Sequence, residues 1–107
     1  MGMNSPVISF IIPAYNVERY IAGCIASIQN QSVKDIEIIP VDDGATDATH
    51  GIIMRVAAED SRIHPIHQIN AGVSTARNEG VAAACGEYVV FVDGDDYLAP
   101  DFAEYML

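Results

Sequence analysis

Three stretches of this chain are apolar almost without interruption: VISFIIPA (residues 7–14), IEIIPVDDG (36–44) and EYVVFVD (87–93). A strand with one face in water alternates apolar and polar side chains. A strand that is apolar at consecutive positions needs cover on both faces, and the crossover helices of a parallel sheet supply it. The intervening segments have helical spacing. Val17, Tyr20, Ile21, Cys24, Ile25 and Ile28 share one face of a helix that Asn16 caps and that runs to about Gln29. Thr46 and Asp47 open a second helix carrying Ile52, Ile53, Val56 and Ala57, weakened by Gly51. RIHPIHQ (62–68) is a short strand, placed at an edge by Pro65. VSTARNEGVAAACG follows, a third helix with Ser74 as cap and Gly86 as stop, and Pro100 opens a fourth. Pro40 lacks a donor within the second strand, so a bulge or an unpaired stretch is expected there. The resulting order, β-α-β-α-β-α-β-α, is that of an α/β protein with a mostly parallel sheet and helices on both faces. Right-handed crossovers and a central first strand give the strand order 3-2-1-4, one mononucleotide-binding half of a Rossmann-like sheet.

The carboxylates fall at the strand ends. In open α/β sheets ligands bind beyond the carboxyl ends of the strands. The first strand ends at PAYN, the second at Asp42 and Asp43, the fourth at DGDD. With these strands adjacent, one crevice is expected to collect Asp42, Asp43, Asp93, Asp95 and Asp96, with Asp47 just beyond. Like charges so close repel one another, and burial makes it worse. Acidic oxygens without paired His or Cys favour Mg2+ or Mn2+ over zinc, and such an ion offsets the repulsion. It could then recruit a diphosphate that the carboxylates alone would repel. Taken singly, DGDD and VDDGATD are also ordinary turn sequences; their placement at matching strand ends is what argues for a site.

The bulk properties are compatible with this. The 107 residues carry a formal net charge of −10, which argues against a nucleic-acid backbone or an anionic membrane surface as partner. Cys24 and Cys85 lack metal-ligand spacing and read as reduced core residues of an intracellular protein. No apolar run approaches the roughly 18–20 residues needed to span a bilayer, and MGMNSPV is too polar for a secretory signal. The expected location is the cytoplasm, at the inner face of the membrane for a longer protein.

SFIIPAYN, IEIIPVDDGATD and NAGVSTARNEGVAAACGEYVVFVDGDDYL occur in that order with suitable gaps. Together they resemble the start of a family-2 glycosyltransferase of the GT-A fold, from about Ser5 to Leu107. The resemblance implies a nucleotide-diphosphate sugar as ligand, UDP-type favoured. It also implies inverting transfer to a hydroxyl of a carbohydrate or lipid-linked acceptor, in polysaccharide biosynthesis. By the same resemblance Pro13, Ala14 and Tyr15 line the base and ribose. Asp43 hydrogen-bonds a uracil-type base, Asp42 supports the strand end, and Arg77 lies near the nucleotide. DGD matches the family's DXD motif, so Asp93 is expected at the ribose or metal, Asp95 on the divalent ion, and Asp96 in the same cluster. The chain departs from the commoner DGSTDGT with DGATDAT, and has Pro40 where the family has an apolar strand residue. Such enzymes also have an acceptor-binding half with the catalytic base. That half is expected beyond residue 107, so residues 1–107 read as the nucleotide-sugar-binding half, able to bind but not to turn over.

Two other classes were weighed on the residues. A phosphoacceptor receiver domain has its acidic pair after the first strand and needs a lysine after a later one. Here the pair follows the second strand and the only lysine is Lys34. A nucleotidyltransferase wants a basic, Gly-rich phosphate loop near the first strand, which PAYNVERY does not provide. His50, His64 and His67 do not pair with the carboxylates in sequence and read as surface or structural residues. Tyr97, Phe102 and Tyr105 read as core or interface, and Glu18 and Arg19 as a solvated helix start. The apolar fourth strand and the helix after Pro100 expect further packing partners; uncovered, they are expected to pair two copies as a homodimer.

Overall fold

The computed structural model describes residues 5–107; residues 1–4, on which most of the leader argument rests, lie outside the described residues. The elements are β1 (Ile8–Ala14), α1 (Ile21–Gln29), β2 (Ile36–Asp43), α2 (Thr49–Glu59), β3 (Ile66–Gln68), α3 (Val73–Ala83), β4 (Tyr88–Phe91) and α4 (Phe102–Met106). The strands form one parallel sheet in the order β3-β2-β1-β4. This is the architecture that the alternation of apolar runs and helical segments predicts.

From β1 to β3 the chain steps across the sheet in one direction. It then returns past β1 to lay down β4. A right-handed crossover that reverses direction must use the opposite face, and the packing agrees. Ile8, Phe10, Ile12, Ile36 and Ile38 join α1 and α2, with Ala103 of α4, in one buried cluster. On the other face Ile11, Ile39 and Val41 pack on Ala76 of α3. The reversal opens a crevice between the carboxyl ends of β1 and β4, the place where such sheets bind ligands.

Pro40 produces no bulge along β1, where pairing is continuous from Ile8↔Ile36 to Ala14↔Asp42. The unpaired stretch appears on the β3 side instead. Ile38 donates to Arg62 O and accepts from His64 N on that side. Pro40, two residues on, turns its missing donor the same way, and pairing with β3 resumes only at Val41↔Ile66.

Several expectations are corrected. α1 begins at Ile21 rather than after Asn16. Asn16 has φ 50° and spends its side chain on Thr46, while residues 17–20 form a separate turn in which Tyr20 N–H and Ile21 N–H donate to Val17 O. α3 begins at Val73 with Gly72 in the cap position, so Ser74 lies inside the first turn and makes no capping bond. Cys85 is exposed, and only Cys24 is in the core. β4 is not covered on both faces: α3 lies over β1 and β2, and Val89 and Phe91, paired with Ser9 and Ile11, are left partly open. Of the three aromatic residues read as core or interface, Phe102 packs against Phe10 with ring centroids 6.4 Å apart, while Tyr97 and Tyr105, 79% and 84% exposed, are outside the core.

Candidate functional site

The five strand-end carboxylates do not form one cluster: β1 lies between β2 and β4, and side chains alternate along β2. Asp42 points to the α2 face and Asp43 to the α3 face, and both are buried. Asp42 Oδ1 accepts Ala45 N–H at 2.9 Å, while Oδ2 lies 2.8 Å from both His50 Nδ1 and His67 Nδ1. These two histidines therefore do pair with a carboxylate, contrary to the expectation from sequence. Register explains it: Asp42 and His67 are partners across β2 and β3, and His50 sits in the first turn of α2 above them.

Asp43 organises the loop that leads into α3. Its Oδ1 accepts from Gln68 Nε2 at 2.7 Å, Ala71 N–H at 2.8 Å and Gly72 N–H at 3.3 Å. Oδ2 accepts from Gly72 N–H at 3.1 Å and Asn70 Nδ2 at 3.4 Å. Burial pushes this carboxyl up, but the bonds from Gln68, Ala71 and Gly72 outweigh it and hold the group below the ordinary value of 3.8. Gly44 closes the turn at φ 70°, and a Cβ there would meet Asn70 N at 2.6 Å, so the loop needs glycine on both counts.

At the β1–β4 switch point Asp93, Asp95 and Asp96 are all exposed, and their ligand oxygens lie within 4.8 Å of one another. The donors are all hard oxygens, open to solvent, and so fit Mg2+ or Mn2+. Gly94 lets this loop lie against the end of β1: a Cβ there would be 3.0 Å from Val17 Cγ2 and 3.4 Å from Pro13 O. Two open cavities flank the loop. One of about 270 Å³ is lined by Arg19, Tyr20, Cys24, Asp95, Asp96 and Tyr97 among others. The second, about 290 Å³, runs over Arg77, Phe91, Asp93 and Phe102. Arg77 stands 3.9 Å from Asp93 and 5.5 Å above the Phe91 ring. Among the described residues its nearest carboxylate partner is thus Asp93. Cys24 donates its thiol to Asp93 O at 3.5 Å; burial first, and then the charges of Asp96, Asp95 and Asp93, push that thiol up to about 12.

Between the two groups, the segment after β1 is laced to the segment after β2. Asn16 Oδ1 accepts Thr46 N–H at 2.9 Å, Val17 N–H donates to Thr49 Oγ1 at 2.9 Å, and Glu18 N–H donates to Asp47 Oδ2 at 3.3 Å. Asp47 also accepts Thr49 N–H at 2.9 Å, so it does serve the start of α2. Tyr15, just before this lacing, is about half exposed beside buried Ala14 and half-buried Pro13. Glu18 and Arg19 are exposed, as sequence reasoning has them, and what it missed is the set of loop donors Gln68, Asn70, Ala71 and Gly72. It also missed the two histidines; the polar IHQ ending of the third strand, in register with VDD, was the available signal.

Solved GT-A glycosyltransferases share this parallel sheet. TarS 1-349 from S. aureus in complex with UDP-GlcNAc superposes with a TM-score of 0.86 at 31% identity, over 94% of this chain and 30% of that one. The mannosyltransferase PcManGT from Pyrobaculum calidifontis, in complex with GDP-Man and Mn2+, gives 0.82 at 26% identity over 90% of this chain and 30% of its own. The family model for glycosyl transferase family 2 matches residues 9–107, and the chain belongs to that family. Among curated relatives, the putative glycosyltransferase EpsH of Bacillus subtilis is 44% identical over 105 residues, 98% of this chain and 30% of the relative. The chain thus spans about a third of the length of such relatives. Among the described residues no helix is long and apolar enough to cross a membrane.

Proposed function

We propose that residues 1–107 are the nucleotide-sugar-binding half of an inverting glycosyltransferase. The observation that carries this is the exposed Asp93–Asp95–Asp96 group beside Arg77 at the β1–β4 crevice. Pro13, Ala14 and Tyr15 border the base and ribose. Asp43 takes the base N–H of a uridine-type nucleotide on Oδ2, which accepts two contacts against three on Oδ1 and is the freer oxygen. Asp42 supports the strand end from the opposite face. Asp95 and Asp93 would hold Mg2+ or Mn2+, which when bound supplies positive charge to the departing diphosphate. Arg77 adds charge from the α3 side. The support from relatives is that TarS is described with UDP and UDP-GlcNAc, and PcManGT with GDP-Man and Mn2+. Acceptor binding, and a carboxylate base that deprotonates the carbohydrate or lipid-linked hydroxyl for in-line attack, are assigned to sequence outside these residues. The setting proposed is the cytoplasm, at the inner face of the membrane in a longer protein.

A thermal-shift panel of UDP and GDP, with Mn2+ or EDTA, tests the reading: UDP with Mn2+ should stabilise most. Equal stabilisation with and without metal would count against the ion's place. Exposed apolar residues carry the proposal of a homodimer. Phe91, Tyr97, Tyr105, Met106 and Leu107 are large apolar or aromatic residues between 47% and 84% exposed. Screening beyond about 8–10 Å keeps the net charge of −10 from preventing contact there. Light scattering should show mass rising towards a dimer with concentration; a constant monomer at high micromolar protein would refute it.

A further inference from the structure

Asp42, His50 and His67 form a second convergent group, on the opposite face of the sheet from Asp43. We propose that they are a site for a borderline transition-metal ion, of the Zn2+ or Ni2+ class, distinct from the oxygen-only site at Asp93 and Asp95. The three ligands come from three elements: the end of β2, the first turn of α2, and β3. His50 Nδ1 and His67 Nδ1 each lie 2.8 Å from Asp42 Oδ2, and the rings meet edge to face at 4.9 Å. Two imidazoles and one carboxylate suit Zn2+, Ni2+, Co2+ or Cu2+ and are a poor set for Mg2+.

The spacing also indicates the geometry. With metal–ligand bonds of about 2.1 Å, neighbouring donors stand about 3.0 Å apart at a right angle and about 3.4 Å apart at a tetrahedral angle. The observed 2.8 Å edges fit the right angle. The three ligand atoms lie within 4.8 Å of one another, so a single ion could be reached by all three. Access is from the histidine side: both rings are about half exposed, whereas Asp42 is 1% exposed. Asp42 Oδ1 stays fixed by Ala45 N–H, which orients the carboxylate for the shared position. Binding would replace the two N–H···O bonds with metal–ligand bonds, move the Nδ1 proton of each neutral ring to Nε2, and clamp α2 and β3 to the end of β2.

The test is calorimetric titration of chelator-stripped protein with Zn2+, and separately with Ni2+ and Mg2+. A Zn2+ or Ni2+ binding step is expected that His50→Gln/His67→Gln weakens at least tenfold and Asp93→Ala/Asp95→Ala leaves unchanged. A second readout needs no variant: Zn2+ should shift the ring proton resonances of His50 and His67 in the parent and leave those of His64 in place. Unaltered Zn2+ affinity in the double histidine variant, Zn2+ shifts centred on His64, or no Zn2+ binding by the parent would each overturn the assignment, leaving a hydrogen-bonded pair around a buried carboxylate.

Discussion

Asp43→Asn is an almost isosteric change that should nevertheless be costly. Every polar neighbour of the Asp43 carboxylate is a donor: Gln68 Nε2, Asn70 Nδ2, Ala71 N–H and Gly72 N–H. Whichever way an amide is turned, its NH2 faces a donor. The less damaging flip puts it on the Oδ2 side, where exposed Asn70 can turn to water and Gly72 N–H keeps only its 3.3 Å contact to Oδ1. The bond from Gly72 is weakened, and those from Gln68 and Ala71 lose their charge-assisted part, together about 1–3 kcal/mol. In a domain of this size that is a fall in Tm of at least about 4 °C. The effect should depend on pH with a definite sign. The folded carboxyl sits below its ordinary value of 3.8, so its stabilisation is complete above that value and is lost as pH falls through the lower folded one. Thermal unfolding of parent and variant should therefore differ most near neutrality and converge well below pH 3.8. A variant within about 2 °C of the parent at neutral pH, or a gap that persists undiminished in acid, would refute the reasoning.

Gly94→Val should push the acidic loop off the end of β1, since even a Cβ would stand 3.0 Å from Val17 Cγ2. The expected result is weaker Mn2+ binding by titration, with helix content by circular dichroism unchanged. Thiol labelling at pH 8 should modify exposed Cys85 and spare Cys24, whose thiol is pushed up to about 12; equal labelling rates, read by mass spectrometry, would contradict the packing of α1 under the DGDD loop.

The strand order and the switch-point crevice were legible because consecutive apolar positions in residues 7–14 and 36–44 demand cover on both faces. The acidic loops were legible because Gly and Asp collect where those runs stop. What sequence could not supply was the division of the carboxylates. Adjacent strand residues face opposite ways, so Asp42 and Asp43 serve different faces, and their partners are set by the register of a three-residue strand. Helix starts were misread for a related reason. Asn16 and Ser74 are good caps by composition, but tertiary contact claims Asn16 for Thr46, and Gly72 takes the position before Ser74. The fourth strand was read as buried because its residues are apolar; how far α3 reaches across the sheet is a property of the packed structure.

The central claim is that Asp93 and Asp95 bind a nucleotide diphosphate through a divalent ion. Calorimetric titration of UDP into the chain in Mn2+ and in EDTA, for the parent and for Asp95→Ala, tests it most directly. The account predicts tight binding only for the parent with Mn2+, and for Asp95→Ala the weak affinity of the EDTA condition whether or not metal is present. Equal affinity of the parent in Mn2+ and EDTA, or an Asp95→Ala variant that binds as the parent does in Mn2+, would contradict it and leave DGDD as a solvated turn.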